Sequence, residues 1–336
     1  SRDRSPVKLD ASRVPLCELR KACPAPPPAL SPGPPPSFHL GAAARLGARV
    51  AFVGCVGHDP YAELLVASLR EAGVDVSALR RVDAPTGIAL ITVTPDGDNS
   101  IIVSPGASAS VTTDDVDAAV AKGLIGLGRV LVAQRELRAE VVEHAARAGA
   151  RAGARVVLNL APPGPLPPDV LAVCDPLVVN EHEAAALLGW ADGGPGVAAA
   201  PERALSQLVA LGARSGVITL GARGAVVAAR VAGGAAPAVR VAGGVGDTPA
   251  DAADPSLQVR RIPALRVDAV DTTGAGDAFT GALAWRLACG DDLPAAAQFA
   301  VRVASTAVRR QGAQTSFPRL DEVLPAPGPA EGWTSR

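Results

Sequence analysis

The sequence predicts an α/β fold with a mostly parallel sheet and flanking helices. Short apolar segments typical of buried strands alternate along the chain with longer amphipathic segments typical of crossover helices. The 336 residues are enough for a large buried core, and 48% of them are apolar. Because only 3% are aromatic, we expect Ala, Val and Leu to fill that core.

The predicted elements follow in order from residue 38 onward. Helices are predicted over 40–46, over 62–72 and from Gly276, where apolar residues recur with helical spacing. Short apolar runs predict strands over 49–54, 87–94, 99–104, 129–133, 155–159, 176–179 and 216–220. The turn at 95–98, which reads Pro-Asp-Gly-Asp, separates the second and third of these strands and is typical of a hairpin.

The composition divides the chain into three parts. Within 24–36, eight of thirteen residues are proline, and proline fixes φ and removes an amide donor. We therefore expect an extended, solvated segment there, and a disordered or aberrant part over 1–37. Residues 38–325 are predicted to form the folded domain, and 326–336 a disordered tail. Inside the domain, the Gly/Ala-rich range 226–264 is predicted to be a flexible surface insertion between two strands.

Charge and cysteine content exclude several classes of function. The net charge is −1 and no basic run exceeds two residues, so neither a nucleic acid nor an anionic membrane is expected as a partner. No apolar stretch approaches the roughly 20 residues that span a bilayer. The five cysteines lack CxxC spacing, which argues against a structural zinc and favours a reducing compartment. We expect a cytoplasmic protein, with a plastid as the alternative.

The most informative segment is a glycine-rich turn, Gly274-Ala275-Gly276, that leads into a helix with Asp277 in its first turn. Unpaired amides at a helix start form an anion site, and small residues let a phosphate approach the backbone. Asp277 beside that site could accept a proton from an attacking hydroxyl, as phosphoryl transfer requires. The alternative is that Asp277 only complements the helix dipole and the glycines only turn the chain.

The eleven-residue string from Asp271 to Gly281 closely resembles the C-terminal signature of the ribokinase-like (PfkB) family of sugar and nucleoside kinases. The resemblance implies that Asp277 is the catalytic base. It also implies that the amides of Gly274, Ala275 and Gly276 form an anion hole for the transferred phosphoryl group. The fold implied is a doubly wound sheet that carries a small β lid, which we expect to be incomplete in this chain.

Two further segments resemble the nucleotide side of the family. Asn180 and Glu183 match its NxxE motif, which implies that they organise the phosphates and Mg²⁺, the glutamate through phosphates and water. The turn at 219–224 resembles a strand-end glycine turn that touches ATP. The implied ATP-binding residues are Asn180, Thr219, Leu220, Gly221, Ala222, Arg223, Gly224 and Gly276. From the residues alone, Asn180 and Glu183 equally suit a helix capping box, and the glycines suit any tight turn.

The resemblance also implies a substrate residue and a cation site. Glu136 follows a strand at the position where the family's glutamate contacts the sugar, although a glutamate after a strand is also often merely solvated. Residues 311–316 resemble the stretch of ribokinases that completes a site for K⁺, and this match favours the ribokinase branch of the family. The implied contributors to that site are Asp271, Thr273, Ala307, Arg310, Gly312 and Ser316.

The function implied is ATP-dependent phosphorylation of a sugar primary hydroxyl, with D-ribose converted to D-ribose 5-phosphate. Its ligands would be the sugar, ATP, Mg²⁺ and K⁺, and a homodimer is expected if the lid is intact. Two alternatives stay open. One is a kinase for another sugar, such as fructose, and the other is a catalytically impaired nucleotide-binding remnant.

The N-terminal part departs from the family pattern. Family members carry there a strand with a substrate-binding aspartate and a GGKGAN-type loop that grips sugar hydroxyls. Alignment back from the helix over 41–48 puts Phe38 where the asparagine of that loop belongs, and prolines where its glycines belong. We therefore expect the strand, half the lid and most of the sugar site to be replaced. Because the sequence contains no methionine, we expect a fragment, a processed form or a translated piece of a gene model. A frame error or a mis-spliced first exon would explain both the missing methionine and the departure.

Overall fold

A computed structural model of the chain describes residues 30–32, 36–93, 99–190, 196–230 and 256–325. The described residues form eleven strands and nine α-helices. The strands are β1 (Leu30–Pro32), β2 (Ala51–Val56), β3 (Asp75–Arg81), β4 (Ile88–Val93), β5 (Asn99–Ser104), β6 (Val130–Gln134), β7 (Arg155–Asn159), β8 (Cys174–Asn180), β9 (Ser215–Thr219), β10 (Ala225–Arg230) and β11 (Leu257–Ile262). The helices are α1 (Pro36–Arg45), α2 (Pro60–Glu71), α3 (Thr113–Ala121), α4 (Ala139–Arg151), α5 (Pro168–Leu171), α6 (Glu181–Leu188), α7 (Pro201–Ala210), α8 (Ala275–Ala288) and α9 (Leu293–Ala307).

The central sheet has six strands in the order β11-β10-β9-β8-β7-β6. Strands β6 to β9 run parallel to one another, whereas β10 and β11 are antiparallel to their neighbours. The predicted α/β class with a mostly parallel sheet is thus confirmed. Both ends of each predicted strand lie within two residues of the ends of an observed strand. The helix predicted over 40–46 begins four residues earlier than predicted, at Pro36.

Local signals set several helix starts. Asp59 caps α2 by accepting a hydrogen bond from the amide of Ala62 at 2.9 Å, and Pro60 occupies the first helical position. Asp292 caps α9 in the same way through the amide of Ala295 at 2.8 Å.

None of the described helices has both the length and the apolar character that a membrane span requires.

The two faces of the central sheet bury different cores. Val157 and Val217 belong to a cluster that α1, α8 and α9 cover, while Leu158 and Ile218 belong to a second cluster under α4, α5 and α7. This alternation follows from the period of two along a strand. Because both faces are covered, the edge at the carboxyl ends of the parallel strands is where a ligand can approach the sheet.

Two smaller sheets accompany the central one. Strand β2 pairs in parallel with β3, and β1, β4 and β5 form an antiparallel sheet with β4 in the middle. Within the proline-rich range 24–36, which is predicted to be extended, Leu30–Pro32 pairs with β4. Pro32 is tolerated there because β1 is an edge strand. The helix α1 also begins inside this range, at Pro36.

The predicted insertion 226–264 is shorter than expected. Residues 225–230 of β10 pair in register with residues 257–262 of β11, so both ends of that range belong to the central sheet. Its middle, 231–255, lies outside the described residues. So do the predicted hairpin turn at 95–98, the predicted tail at 326–336, and residues 1–29 of the predicted N-terminal part.

A cavity of about 430 Å³ lies between β2 and β6. Residues 50–55 and 129–134 of these two strands line it, with α8 on one side and α4 on the other. Within the described residues, β2 pairs with β3 alone and β6 with β7 alone. Among the described residues, the cavity therefore has the surroundings of a central strand.

Candidate active site

Four polar side chains lie at the carboxyl ends of neighbouring parallel strands. Gln134 of β6 is the register partner of Asn159 of β7, and Asn180 of β8 is the partner of Thr219 of β9. Asn159 follows Val157 by two residues, so it lies on the face of the sheet that α1, α8 and α9 cover. The apolar strands thus end in a row of hydrogen-bonding groups at one edge of the sheet.

Several buried polar atoms near this edge make no hydrogen bond within the described part of the chain. They are Gln134 Oε1, Glu136 Oε2, Asn159 Oδ1 and Thr280 Oγ1. Buried polar atoms are normally paired, so these atoms are suited to binding a polar ligand or ordered water. Sequence reasoning identified Glu136 alone. A polar residue that ends an apolar strand was the available signal for Gln134 and Asn159.

The start of α8 has the geometry of an anion site. Gly274 precedes the helix with φ of +77°, a conformation that glycine adopts readily, and a Cβ there would also lie 3.1 Å from the ring of Phe317. The first i to i−4 hydrogen bond of the helix runs from Ala278 N to Gly274 O at 2.8 Å. A Cβ at Gly276 would meet no atom within 4 Å, so there is open space beside this residue.

Asp277 has two acidic or basic neighbours in this site. Oδ1 of its carboxylate lies 2.8 Å from Nε2 of His39, and the side chain is 16% exposed. Glu136 lies in the turn after β6, close enough to sense the charge of Asp277. Burial, and secondarily that charge, raises the pKa of Glu136 to about 8. Glu136 is therefore protonated at neutral pH and can donate a hydrogen bond.

The raised pKa of Glu136 predicts that the free energy of unfolding depends on pH. Between about pH 5 and 8 the folded chain keeps a proton on Glu136 that the unfolded chain loses, since the ordinary pKa is 4.5. The free energy of unfolding is therefore expected to fall with rising pH in the wild type, relative to Glu136→Gln. Urea unfolding at pH 5, 6.5 and 8 measures this difference. A difference that stays constant with pH would contradict the burial of the carboxyl group.

The predicted cation residues lie at the junction of two loops. Asp271 accepts hydrogen bonds from the amides of Thr273 and Gly312, both at 2.9 Å. Burial alone would raise the pKa of Asp271, but these hydrogen bonds outweigh it and lower the pKa below its usual value. Ser316 is buried and donates from its hydroxyl to the carbonyl oxygen of Ala313 at 2.7 Å. Carboxylate and carbonyl oxygens of this kind suit a hard cation.

The other two predicted cation residues flank the end of α9. The carbonyl oxygen of Ala307 accepts a hydrogen bond from the amide of Arg310 at 3.0 Å. The guanidinium of Arg310 turns away to Glu322, with an ion pair of 3.1 Å. A role of Arg310 in holding K⁺ would therefore rest on its backbone carbonyl, and not on its side chain.

Asn180 and Glu183 form a helix capping box in the structure, as the interpretation from the residues alone predicts. Asn180 Oδ1 accepts from the amide of Glu183 at 2.8 Å, and Glu183 Oε2 accepts from the amide of Asn180 at 2.7 Å. Burial raises the pKa of Glu183, and the hydrogen bond from Asn180 partly offsets this. Within the described residues, no three His, Cys, Asp or Glu side chains converge on a metal position. A Mg²⁺ held through phosphates and water, as predicted, is compatible with this arrangement.

The predicted ATP turn is tied to the start of α6. Gly224 has φ of +92°, and a Cβ there would lie 2.0 Å from the carbonyl oxygen of Ile262, so this position requires glycine. Arg223 forms an ion pair with Glu181 and donates to the carbonyl oxygen of Ala198 at 2.7 Å. The structure therefore brings the two predicted nucleotide-binding segments together at the carboxyl ends of β8 and β9.

Comparison with known proteins places this site in a family context. The profile described as "pfkB family carbohydrate kinase" matches residues 39–320. The ribokinase of Schizosaccharomyces pombe is 34% identical over 277 residues, which cover 82% of this chain and 78% of that protein. The ribokinase of Staphylococcus aureus is 31% identical over 288 residues, which cover 84% and 83%. The matched range begins after Phe38, where the N-terminal departure ends.

A solved structure shares the fold. The structure of Arabidopsis thaliana ribokinase complexed with ribose and ATP superimposes with a TM-score of 0.68 at 26% identity, covering 86% of this chain and 85% of that one. The two chains therefore share a fold over most of their length.

Proposed function

The chain belongs to the pfkB family of carbohydrate kinases and is a sugar kinase, and on this premise we propose that it phosphorylates the primary hydroxyl of D-ribose with ATP. The observation that carries the proposal is the position of Asp277 in the first turn of α8, beside the open space above Gly276. A base next to an anion site is what transfer of a phosphoryl group to a hydroxyl requires.

The reaction follows from this geometry. Asp277 accepts the proton of the sugar hydroxyl as its oxygen forms a bond to the γ-phosphorus of ATP. The bond between that phosphorus and the oxygen bridging to the β-phosphate breaks, and ADP leaves. The amides of Gly274, Ala275 and Gly276 stabilise the negative charge on the transferred group, because donors fixed in advance need no reorganisation during the reaction.

The nucleotide would bind where β8 and β9 end. In this proposal, Asn180 and the turn at 219–224 contact ATP. Glu183 would hold Mg²⁺ through water and phosphate oxygens. Mg²⁺ supplies charge neutralisation of the phosphates when it is bound. The loop junction at Asp271 and Gly312 would hold K⁺ and keep the start of α8 in place.

Ribose is preferred over other sugars for two reasons. The stretch at 311–316 matches the ribokinase type of the motif, and the relatives compared above are ribokinases. Gln134, Glu136 and Asn159 offer hydrogen-bonding groups for sugar hydroxyls. A nucleotide-binding remnant is the second candidate, because Phe38 lies in the core and the cavity beside β6 has the surroundings of a strand that the described residues do not supply.

Transfer of radiolabelled phosphate from ATP to D-ribose or D-fructose tests the proposal. We expect slow transfer to ribose above the rate with ATP alone, and less transfer to fructose. Calorimetry with magnesium-ATP, run in parallel, separates the two candidates. Nucleotide binding without transfer to either sugar would favour the remnant, and faster transfer to fructose would overturn the assignment of ribose.

A further inference from the structure

The start of α1 places His39, and not Phe38, beside the candidate base. Phe38 is 3% exposed and packs in the apolar core together with Phe279 and Leu283. His39 is equally buried, and its Nε2 lies 2.8 Å from Oδ1 of Asp277. Because an ionised carboxylate only accepts hydrogen bonds, Nε2 carries a proton and donates it to Asp277.

The packing of α1 against α8 holds this imidazole in place. A Cβ at Gly281 would lie 2.4 Å from the carbonyl oxygen of His39 and 3.0 Å from the Cβ of Ala42, so the two helices touch through backbone atoms. The far end of α1 is tied by Arg45, which donates to the carbonyl oxygen of Phe317 at 3.0 Å. A shift of His39 relative to Asp277 would therefore break contacts at both ends of α1.

The burial of His39 and Asp277 strengthens the hydrogen bond between them. His39 is 3% exposed and Asp277 16% exposed, so water competes weakly for the carboxylate. Glu136, the acidic neighbour, is protonated at neutral pH because its pKa is raised to about 8. In the part of the chain that the structure describes, no lysine or arginine forms an ion pair with Asp277, which leaves His39 as the side chain that orients it.

We propose that His39 is a positioning residue for sugar phosphorylation, a role that rests on the proposed function. It holds Asp277 through Oδ1, so that Oδ2 remains available to accept the proton of the acceptor hydroxyl. A buried histidine can also be a mere packing residue. In that case its loss would lower stability but would not lower the turnover of the folded protein.

Substitutions at His39 in the full chain separate these roles. His39→Leu fills similar space without a donor, and kcat for D-ribose is expected to fall about tenfold to a hundredfold, the usual cost of losing a supporting hydrogen bond in a catalytic site. KM for ATP should stay unchanged. His39→Gln keeps an N–H donor and is expected to restore most of kcat. The matched control is His144→Leu, since His144 pairs with Asp117 at 2.7 Å on the surface, away from Asp277.

A second readout does not depend on turnover. The chain has four histidines, and in NMR spectra the ring resonances of His39 should move on Asp277→Asn while those of His58, His144 and His182 should not. Unmoved His39 resonances would overturn the pair itself. An unchanged or increased kcat in a folded His39→Leu variant would overturn the positioning role. Failure of the wild type to phosphorylate ribose would instead refute the proposed function.

Discussion

Replacement of Asp277 by Asn is expected to lower the transfer of phosphate from ATP to D-ribose by about two to four powers of ten, the usual contribution of a positioned general base. Asparagine has the same shape and can still accept the hydrogen bond from His39, but it cannot take up the proton of the hydroxyl. The affinity for magnesium-ATP, measured by calorimetry, should change little, because the predicted nucleotide contacts lie at the ends of β8 and β9.

The same chemical change elsewhere provides the control. Asp114 lies in the first turn of α3 and is exposed, so Asp114→Asn also removes a carboxylate from a helix start. Each variant loses the favourable interaction of a carboxylate with the helix dipole. This loss lowers the free energy of unfolding of both variants by about 0.3–1 kcal/mol. Transfer rates for Asp277→Asn that match those of Asp114→Asn would mean that the proton goes to another group.

The position of Asp277 could be predicted because the relevant signals are local. A glycine with positive φ at Gly274, small residues at the helix start and an apolar stripe through Phe279 and Leu283 are all encoded within a dozen residues. Strands β6 to β9 of the central sheet were predictable for the same reason, since each is a short apolar run. The α/β class, with a mostly parallel sheet and flanking helices, followed from the alternation of these elements.

The partners of the base could not be predicted because they depend on tertiary packing. Alignment placed Phe38 toward the sugar, but its ring is buried in the apolar core, and the next residue of α1, His39, lies beside Asp277. Gln134 and Asn159 meet through strand register, which no short window of sequence contains. The edge strand at Leu30–Pro32 was missed because proline excludes a central strand but not an edge.

The cavity between β2 and β6 bears on how well a sugar can be held. Both strands have one side without a strand partner among the described residues, and helices from both layers cover the space between them. A loop that follows a strand in this position would end at the same edge of the sheet as Gln134 and Asn159. Without that loop, fewer groups orient the sugar hydroxyl toward Asp277, and misplacement by about 1 Å can cost a hundredfold in rate.

Replacing residues 1–38 with the family's N-terminal strand and glycine loop, taken from the Schizosaccharomyces pombe ribokinase, is therefore expected to raise phosphate transfer to D-ribose by at least about a hundredfold. The added strand would pair with β2 and β6 and fill the cavity of about 430 Å³, so the thermal midpoint should rise as well. His39 is kept, and Asp277→Asn in the grafted chain serves as the inactive control. Equal rates for the grafted and the wild-type chain would show that His39, Gln134, Glu136 and Asn159 already form a complete sugar site.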